Sequence, residues 1–217
     1  RGPGARPGSG AGRRTVRVPP PAEAVPAAGG TRRRSRRSEA AILQATLELL
    51  AERGFAGLSI DATAARAGVG KATIYRHWRS KAQLVIEAVG TLAPAQPEPD
   101  TGNLRDDLLV VLTGLVKGLT RSPMAHILPS LVDAAERDAE LAELHRAFTA
   151  QRRQTLERVL RRAAQRGELA GDADLEVAVD LLAGPVFYRR LVSRAPLTPR
   201  FAERVVDAVL PHLTPPG

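Results

Sequence analysis

Apolar residues recur with the spacing of α-helices from residue 38 onward. In 38–54, "SEAAILQATLELLAERG", they form one stripe that carries Ile42, Ala45, Leu49 and Leu50. This stripe is near the i, i+3, i+7, i+8 pattern of a buried helical face. Ser38 is a candidate N-cap for this helix and Gly54 is its expected end, since small polar residues favour helix starts and glycine favours helix ends.

Two shorter helices are predicted next, with a glycine-containing turn between them. Ser59 can cap a helix over 60–67, and Asp61 lies in its first turn, where an acidic side chain is favourable. Residues 68–70, "GVG", form the turn, because glycine adopts the positive φ that a tight turn requires. A third helix follows over 71–77. Short helices joined in this way are typical of a helix-turn-helix.

The segment "AGVGKATIYRHW" (67–78) also invites comparison with a loop that binds nucleotide phosphates. Such a loop follows a buried strand and reads G-x-x-x-x-G-K-[ST]. The pair Gly70-Lys71 would require glycine at 65 and serine or threonine at 72, but the chain has Ala65 and Ala72. The preceding residues are also helical in pattern. Nucleotide binding is therefore excluded, and the helix-turn-helix interpretation is kept.

The remainder of the chain is predicted to be helical as well. Prolines in 91–102, "TLAPAQPEPDTG", indicate a connection. The helices expected after it span 103–120, 137–167, 172–194 and 198–213, with a very short piece between Pro123 and Pro129. The last two are apolar on more than one face, through Leu175, Val179, Leu182, Val186, Leu191, Phe201, Val205, Val206 and Val209. Excess apolar surface of this kind often marks an interface between subunits.

Residues 1–37 differ from the rest in composition. They hold ten arginines against one acid, whereas residues 38–217 have 22 basic and 22 acidic side chains, so the net charge of +9 belongs to this segment. With seven glycines and six prolines, it has too little apolar surface to offset the entropy of ordering. We expect a disordered basic tail. Two interpretations of its last part, "TRRRSRR" (31–37), remain open. It is either an arm that contacts DNA, at the phosphates or in a minor groove, or a solvated linker.

The residue inventory argues against an enzyme, a metalloprotein and a membrane protein. The chain has no cysteine, and its histidines lack zinc-ligand spacing. No Ser/His/Asp set or suitably paired carboxylates are recognisable, so we expect no catalysis, no metal and no cofactor. No apolar run reaches the roughly 18 residues of a membrane span, and no segment reads as a cleaved targeting signal. A soluble cytoplasmic protein is expected.

The segment "GLSIDATAARAGVGKATIYRHWRSKAQLV" (57–85) resembles the DNA-binding signature of the TetR family of bacterial transcriptional regulators. That signature reads roughly T-[VI]-x-x-I-A-x-x-A-G-V-[SG]-x-x-[TA]-[IL]-Y-x-[HY]-F-x-[ST]-K-x-x-L. Thr63 replaces the usual isoleucine, and Trp78 replaces the usual phenylalanine. We interpret Trp78 as a core residue. The resemblance implies an all-α chain with a three-helix DNA-binding domain over 38–84 and a helical ligand-binding and dimerisation domain over 85–217.

The resemblance also implies which residues contact DNA. Those at positions that hold phosphates in the family are Ser59, Tyr75, His77 and Lys81. Those at positions that meet base edges are Lys71, Ala72 and Thr73. Lysine can reach guanine O6 and N7, and threonine or alanine can touch a thymine methyl group. Arg76 lies on the same polar side of the predicted third helix. For Tyr75, a half-buried ring packed on the first helix remains an alternative.

For the C-terminal domain, the family implies an apolar ligand cavity and a dimer closed by the last two helices of each subunit. Helical spacing nominates Leu112, Leu115, Val116, Met124, Ile127, Leu128, Phe148 and Phe187 as cavity residues, with His126 and Tyr188 as polar candidates. Ordinary core or dimer contacts would give the same pattern.

These observations predict a homodimeric transcription factor that binds a palindromic DNA operator. We expect a repressor that an unidentified small apolar ligand releases. The half-site centres should lie roughly 34–36 Å apart on the duplex. The alternative is an architectural DNA-binding protein, largely independent of sequence and driven by the basic tail. Competition by non-cognate DNA separates the two, because an architectural protein would show little preference.

Overall fold

The computed structural model describes residues 28–92 and 98–215. Within those ranges the chain is helical and contains no strand, as the sequence predicts. The helices are α1 Ala28–Gly57, α2 Ile60–Ala67, α3 Lys71–His77, α4 Lys81–Thr91, α5 Leu104–Arg121, α6 Met124–Ala135, α7 Ala139–Gln165, α8 Leu175–Tyr188 and α9 Pro199–Val209. A π-helical turn, Arg189–Ser193, follows α8, and a 3₁₀ turn, Leu210–His212, follows α9.

Helix α1 begins well before the position that the sequence predicts. It starts at Ala28 rather than after Ser38, so the assignment of 28–37 to a disordered tail is wrong. Residues 31–37 contain neither glycine nor proline, and arginine is a good helix former. At the other end, Gly54 interrupts the helical path with φ 65° and ψ −179°. The rest of the predicted tail, residues 1–27, lies outside the described residues.

A small apolar core holds the first four helices together. Its buried members are Ile42, Ala64, Ile74, Trp78 and Leu84. The predicted stripe on α1 is confirmed, since Ile42, Ala45, Leu49 and Leu50 are all buried. Ala64 and Ile74 bring α2 and α3 into one packed unit, which fixes the orientation of α3 on the domain surface.

Helices α5 to α9 pack around a larger core, and α6 corrects the sequence prediction. Pro123 and Pro129 do not bracket a very short piece: Pro129 lies inside a helix of 12 residues. Ile127, Leu128 and Leu131 on this helix are buried, so packing of one face outweighs the hydrogen bond that proline removes.

A sharp bend of 88° separates α5 from α6. The Ser122 hydroxyl stabilises it on both sides, donating to the carbonyl of Gly118 at 2.6 Å and accepting from the N–H of Met124 at 3.2 Å. No single helix in 28–92 or 98–215 is long and apolar enough to span a bilayer, and α5 and α6 reach that length only as this bent pair.

Helices α1 and α4 lie against the C-terminal helices. A Cβ placed on Gly54 of α1 would lie 3.6 Å from the Ser130 Cβ of α6. On the other side, the Arg152 guanidinium of α7 donates to the carbonyl of Gly90 in α4 at 3.3 Å and lies over the Phe148 ring. The larger core includes apolar residues of α1 and α4 as well as those of α5 to α9.

The segment that leads into α5 is also anchored. Fully buried Asp107 accepts hydrogen bonds from the backbone N–H and the hydroxyl of Thr101 at 2.8 and 2.9 Å. Arg158 of α7 pairs with Glu98, and Arg162 donates to the carbonyl of Pro99. Residues 98–101 are thus tied to α5 and α7 rather than free to swing.

Candidate DNA-binding interface

The turn between α2 and α3 has the geometry of a helix-turn-helix. Ser59 caps α2, its hydroxyl accepting from the N–H of Ala62 at 3.1 Å. Gly68 ends the helix in the left-handed conformation, with φ 65° and ψ 34°, where glycine carries no steric penalty. The N–H of Val69 then bonds the carbonyl of Ala64 at 3.0 Å. These local hydrogen bonds set the direction in which α3 leaves the turn.

One residue of helix α3 is buried, and the others are at least partly accessible to solvent. Ile74 is fully buried in the small core, whereas Lys71, Ala72, Tyr75, Arg76 and His77 are exposed and Thr73 is partly exposed. Tyr75 is 56 % exposed, which is compatible with a DNA contact and equally with the alternative of a half-buried ring packed on α1. The structure therefore gathers the predicted α3 contacts on one accessible polar surface.

Both departures from the family signature are accommodated by hydrogen bonds. Thr63 is fully buried, and its hydroxyl donates to the carbonyl of Ser59 at 3.0 Å, so no polar group is left unpaired there. Trp78 is 1 % exposed, and its indole N–H donates to a Glu87 carboxylate oxygen at 2.8 Å. The interpretation of Trp78 as a core residue is confirmed.

The Lys71 ammonium is paired with the carboxylate of Asp61, across the turn. The hydrogen bond and the negative charge of Asp61 raise the pKa of Lys71, so the lysine stays protonated. The two side chains are 60 % and 66 % exposed. The sequence assigns Asp61 to the first turn of α2 and Lys71 to the start of α3, but it does not predict their ion pair, because the pair depends on the path of the turn.

Lys81 is held inside the domain rather than projecting freely. Its ammonium donates to the carbonyl of Phe55 at 3.1 Å and lies 4.1 Å from the centre of the Phe55 ring. These contacts tie the start of α4 to the end of α1. A phosphate contact by Lys81 remains a prediction, and it would share the ammonium with this structural role.

Basic charge dominates the sequence around the turn. Residues 53–86 contain six lysines and arginines and one acid, Asp61. Positive charge beside exposed donors is the arrangement that attracts a phosphate backbone. This excess of positive charge in the sequence favours the approach of a phosphate backbone, although Arg66 is paired with Glu52 and Lys71 with Asp61.

The nominated cavity residues divide into three groups by burial. Leu112, Val116, Met124, Ile127 and Leu128 are buried in the larger core, and Leu115, Phe148 and Phe187 are partly buried against it. His126 and Tyr188 are exposed, so their nomination as polar groups inside a cavity is not supported by the fold of the single chain. His126 lies on the outer side of α6, and Tyr188 belongs to the outer side of α8.

The outer side of α8 carries apolar residues that the sequence prediction did not name as interface candidates. Val177, Leu181 and Tyr188 are 50 %, 47 % and 58 % exposed, and Val192 beyond them is also exposed. In contrast, Val179, Leu182 and Val186, named as interface candidates, are fully buried within the chain. The helix is apolar on two faces, and the sequence pattern does not tell which face the chain itself covers.

Known proteins share this architecture over most of the chain. Residues 42–88 match the family described as "Bacterial regulatory proteins, tetR family", and residues 98–209 match "Tetracyclin repressor-like, C-terminal domain". The HTH-type transcriptional regulator YdeS of Bacillus subtilis is 39% identical over 155 residues, which is 70% of this chain and 78% of that protein.

Two further relatives cover more of the chain. The DNA-binding transcriptional repressor TetR of Mycobacteroides abscessus is 33% identical over 181 residues, 82% of this chain and 94% of that protein. The crystal structure of the TetR family transcription regulator SCO0332 is similar with a TM-score of 0.65 and 36% identity, covering 82% of this chain and 99% of that chain. With both domains matched, the chain belongs to the TetR family of bacterial transcriptional regulators and acts by binding DNA, not as an enzyme.

Proposed function

We propose that this regulator is a cytoplasmic repressor that binds a palindromic operator as a homodimer and is released by a small apolar ligand. The observation that carries the proposal is the exposed polar surface of α3 beside its single buried residue, Ile74. A helix fixed in this way can enter the major groove without disturbing its own domain. The M. abscessus relative is itself named a repressor.

In this proposal the start of α3 reads base edges. Lys71, Ala72 and Thr73 lie in its first turn, where a recognition helix is closest to the bases. Phosphates on either side meet Ser59 at the start of α2, Tyr75, Arg76 and His77 further along α3, and Lys81 at the start of α4. Phosphate contacts fix the register, and the first turn supplies the discrimination between sequences.

The proposed dimer uses the outer side of α8. Val177, Leu181, Gly184 and Tyr188 follow one another at spacings of four, three and four residues, so they form one stripe along the helix. A Cβ on Gly184 would have no atom within 4 Å, which leaves room for a neighbouring helix. Beside the stripe lies a groove lined by Pro185, Phe201, Arg204, Val205, Ala208 and Val209. A second copy related by a two-fold axis would cover both surfaces with its own α8 and α9.

The proposed release depends on the continuity of the larger core. An apolar ligand that inserts among partly buried residues such as Leu115, Phe148 and Phe187 would push α7 against α4, because Phe148 and Arg152 of α7 contact α4 at Gly90. Displacement of α4 moves the DNA-binding domain of each subunit. The ligand shifts the population only if it binds the displaced state more tightly than the DNA-bound state.

The test replaces the exposed side chains of α3. A duplex enriched from random DNA by the wild-type protein serves as the operator in a gel-shift assay. The double variant Lys71→Ala, Tyr75→Ala should lose retention of this duplex while sedimenting as a dimer. Lys117→Ala removes an exposed lysine of α5 and should bind normally. Undiminished retention by the double variant would sink the recognition-helix assignment, and equal competition by a scrambled duplex would favour the architectural alternative.

A further inference from the structure

Asp61 is an acidic residue in an otherwise basic part of the chain. It is the one acid in residues 53–86, against six lysines and arginines. Its side chain is 66 % exposed, on the same side of the turn as the start of α3. A carboxylate in this position repels phosphates, so it weakens attraction to DNA of any sequence.

The partner of Asp61 is Lys71, one of the three residues proposed to read base edges. Asp61 lies in the first turn of α2 and Lys71 is the first residue of α3, and the turn brings their side chains into an ion pair. An exposed pair of this kind contributes little to folding stability. Its effect is local: it neutralises one positive charge and fixes the direction of a long, flexible side chain.

Both effects change how Lys71 can meet DNA. A free lysine is attracted to any phosphate, which adds affinity without adding specificity. A lysine held by a carboxylate gains less from a phosphate, but its remaining N–H groups can still donate to guanine O6 and N7. The carboxylate itself can accept from the N4 amino group of cytosine. The pair thus presents a donor and an acceptor side by side.

We propose that Asp61 is a specificity-determining residue, which holds Lys71 for base contact and suppresses binding to non-cognate DNA. The proposal rests on the proposed function of α3. Loss of the Asp61 charge frees Lys71 to take a phosphate, so binding becomes stronger to scrambled DNA, more sensitive to salt and less selective.

The experiment compares Asp61→Asn with wild type on the selected duplex and on a scrambled duplex of the same composition. One additional phosphate contact steepens the slope of log K against log salt by about 0.9, or about 3.5-fold between about 50 and 200 mM salt. We expect this steeper slope on scrambled DNA, with a fall in the ratio of cognate to non-cognate affinity of similar size. An unchanged ratio would overturn the proposal.

A matched control removes an acid from a different ion pair of the same domain. Glu52 of α1 pairs with Arg66 of α2 through two hydrogen bonds of 2.5 and 2.9 Å, and involves no predicted DNA contact. Glu52→Gln changes the net charge by the same amount and should leave the ratio unaltered. If Glu52→Gln lowers the affinity ratio as Asp61→Asn does, the change in net charge of the protein is the cause, and the proposal fails.

A double-mutant cycle with Lys71→Ala separates this proposal from the one on which it rests. The effect of Asp61→Asn on the ratio of cognate to non-cognate affinity should disappear when Lys71 is absent, and a change in that ratio that persists without Lys71 overturns the proposal. If Lys71→Ala alone leaves operator binding intact, the recognition-helix assignment itself is refuted. If Lys71→Ala weakens binding while Asp61→Asn leaves the affinity ratio intact, only the role of Asp61 is refuted. Circular dichroism confirms that each variant is folded.

Discussion

Gly54 is expected to be intolerant of any side chain, although there is space for one. Its φ of 65° and ψ of −179° lie in a backbone region that is essentially confined to glycine. A Cβ there would be 3.6 Å from the Ser130 Cβ, an ordinary van der Waals contact. The cost of Gly54→Ala is therefore backbone strain alone, about 1–3 kcal/mol of the free energy of unfolding.

Comparison with Gly68 isolates the cause. The two glycines share a φ of 65°, but Gly68 has a ψ of 34°, in the left-handed helical region that asparagine also adopts. Gly68→Asn should therefore be less destabilising than Gly54→Asn. Gly114→Ala, in the middle of α5 with no atom within 4 Å of the new Cβ, should instead stabilise by about 0.5–1 kcal/mol.

Urea unfolding followed by far-UV circular dichroism measures these differences. All variants are compared at one protomer concentration, because the stability of a dimer depends on concentration. If Gly54→Ala unfolds at the wild-type urea concentration, or if asparagine is equally harmful at both glycines, the reasoning from backbone conformation is refuted.

Three further outcomes are expected. Trp78→Phe should keep the fold but lower the free energy of unfolding by about 1–3 kcal/mol, measured by urea titration. The variant loses the hydrogen bond to Glu87 and leaves part of the indole volume empty. Unchanged stability would contradict this expectation. Leu181→Glu should shift the protein to monomers in analytical ultracentrifugation. Val110→Glu, at a similarly exposed position on α5, should leave the dimer intact. If the Leu181→Glu variant remains a dimer, the α8 interface is ruled out. Removal of residues 1–37, with ten arginines, should weaken operator binding and flatten its salt dependence; an identical slope means that this segment does not contact DNA.

The sequence predicts both ends of α2 and the start of α9 well because these boundaries depend on local chemistry. Ser59 and Gly68 cap α2 as expected, and Thr198 caps α9 with a hydrogen bond of 3.2 Å from the N–H of Phe201. Each of these interactions involves residues within five positions of one another. Sequence pattern is sufficient at this range.

Features that depend on distant packing are not predictable in the same way. Pro129 suggests the end of a helix, but α6 continues through it because its apolar face is buried. On α8, the pattern cannot separate Val179, which the chain covers, from Val177, which it leaves exposed. The pair of Asp61 and Lys71 joins residues ten positions apart, so it is visible only once the turn is folded.

The burial of Trp78 has a practical consequence. It is the single tryptophan of the chain, it directly follows α3, and its ring centre lies 5.4 Å from that of His77. Indole emission responds to the surroundings of the ring, including a neighbouring imidazole. Operator contact at His77 should therefore change the emission intensity of the unlabelled protein. In the proposed complex, this tryptophan beside α3 would report DNA binding without an added label.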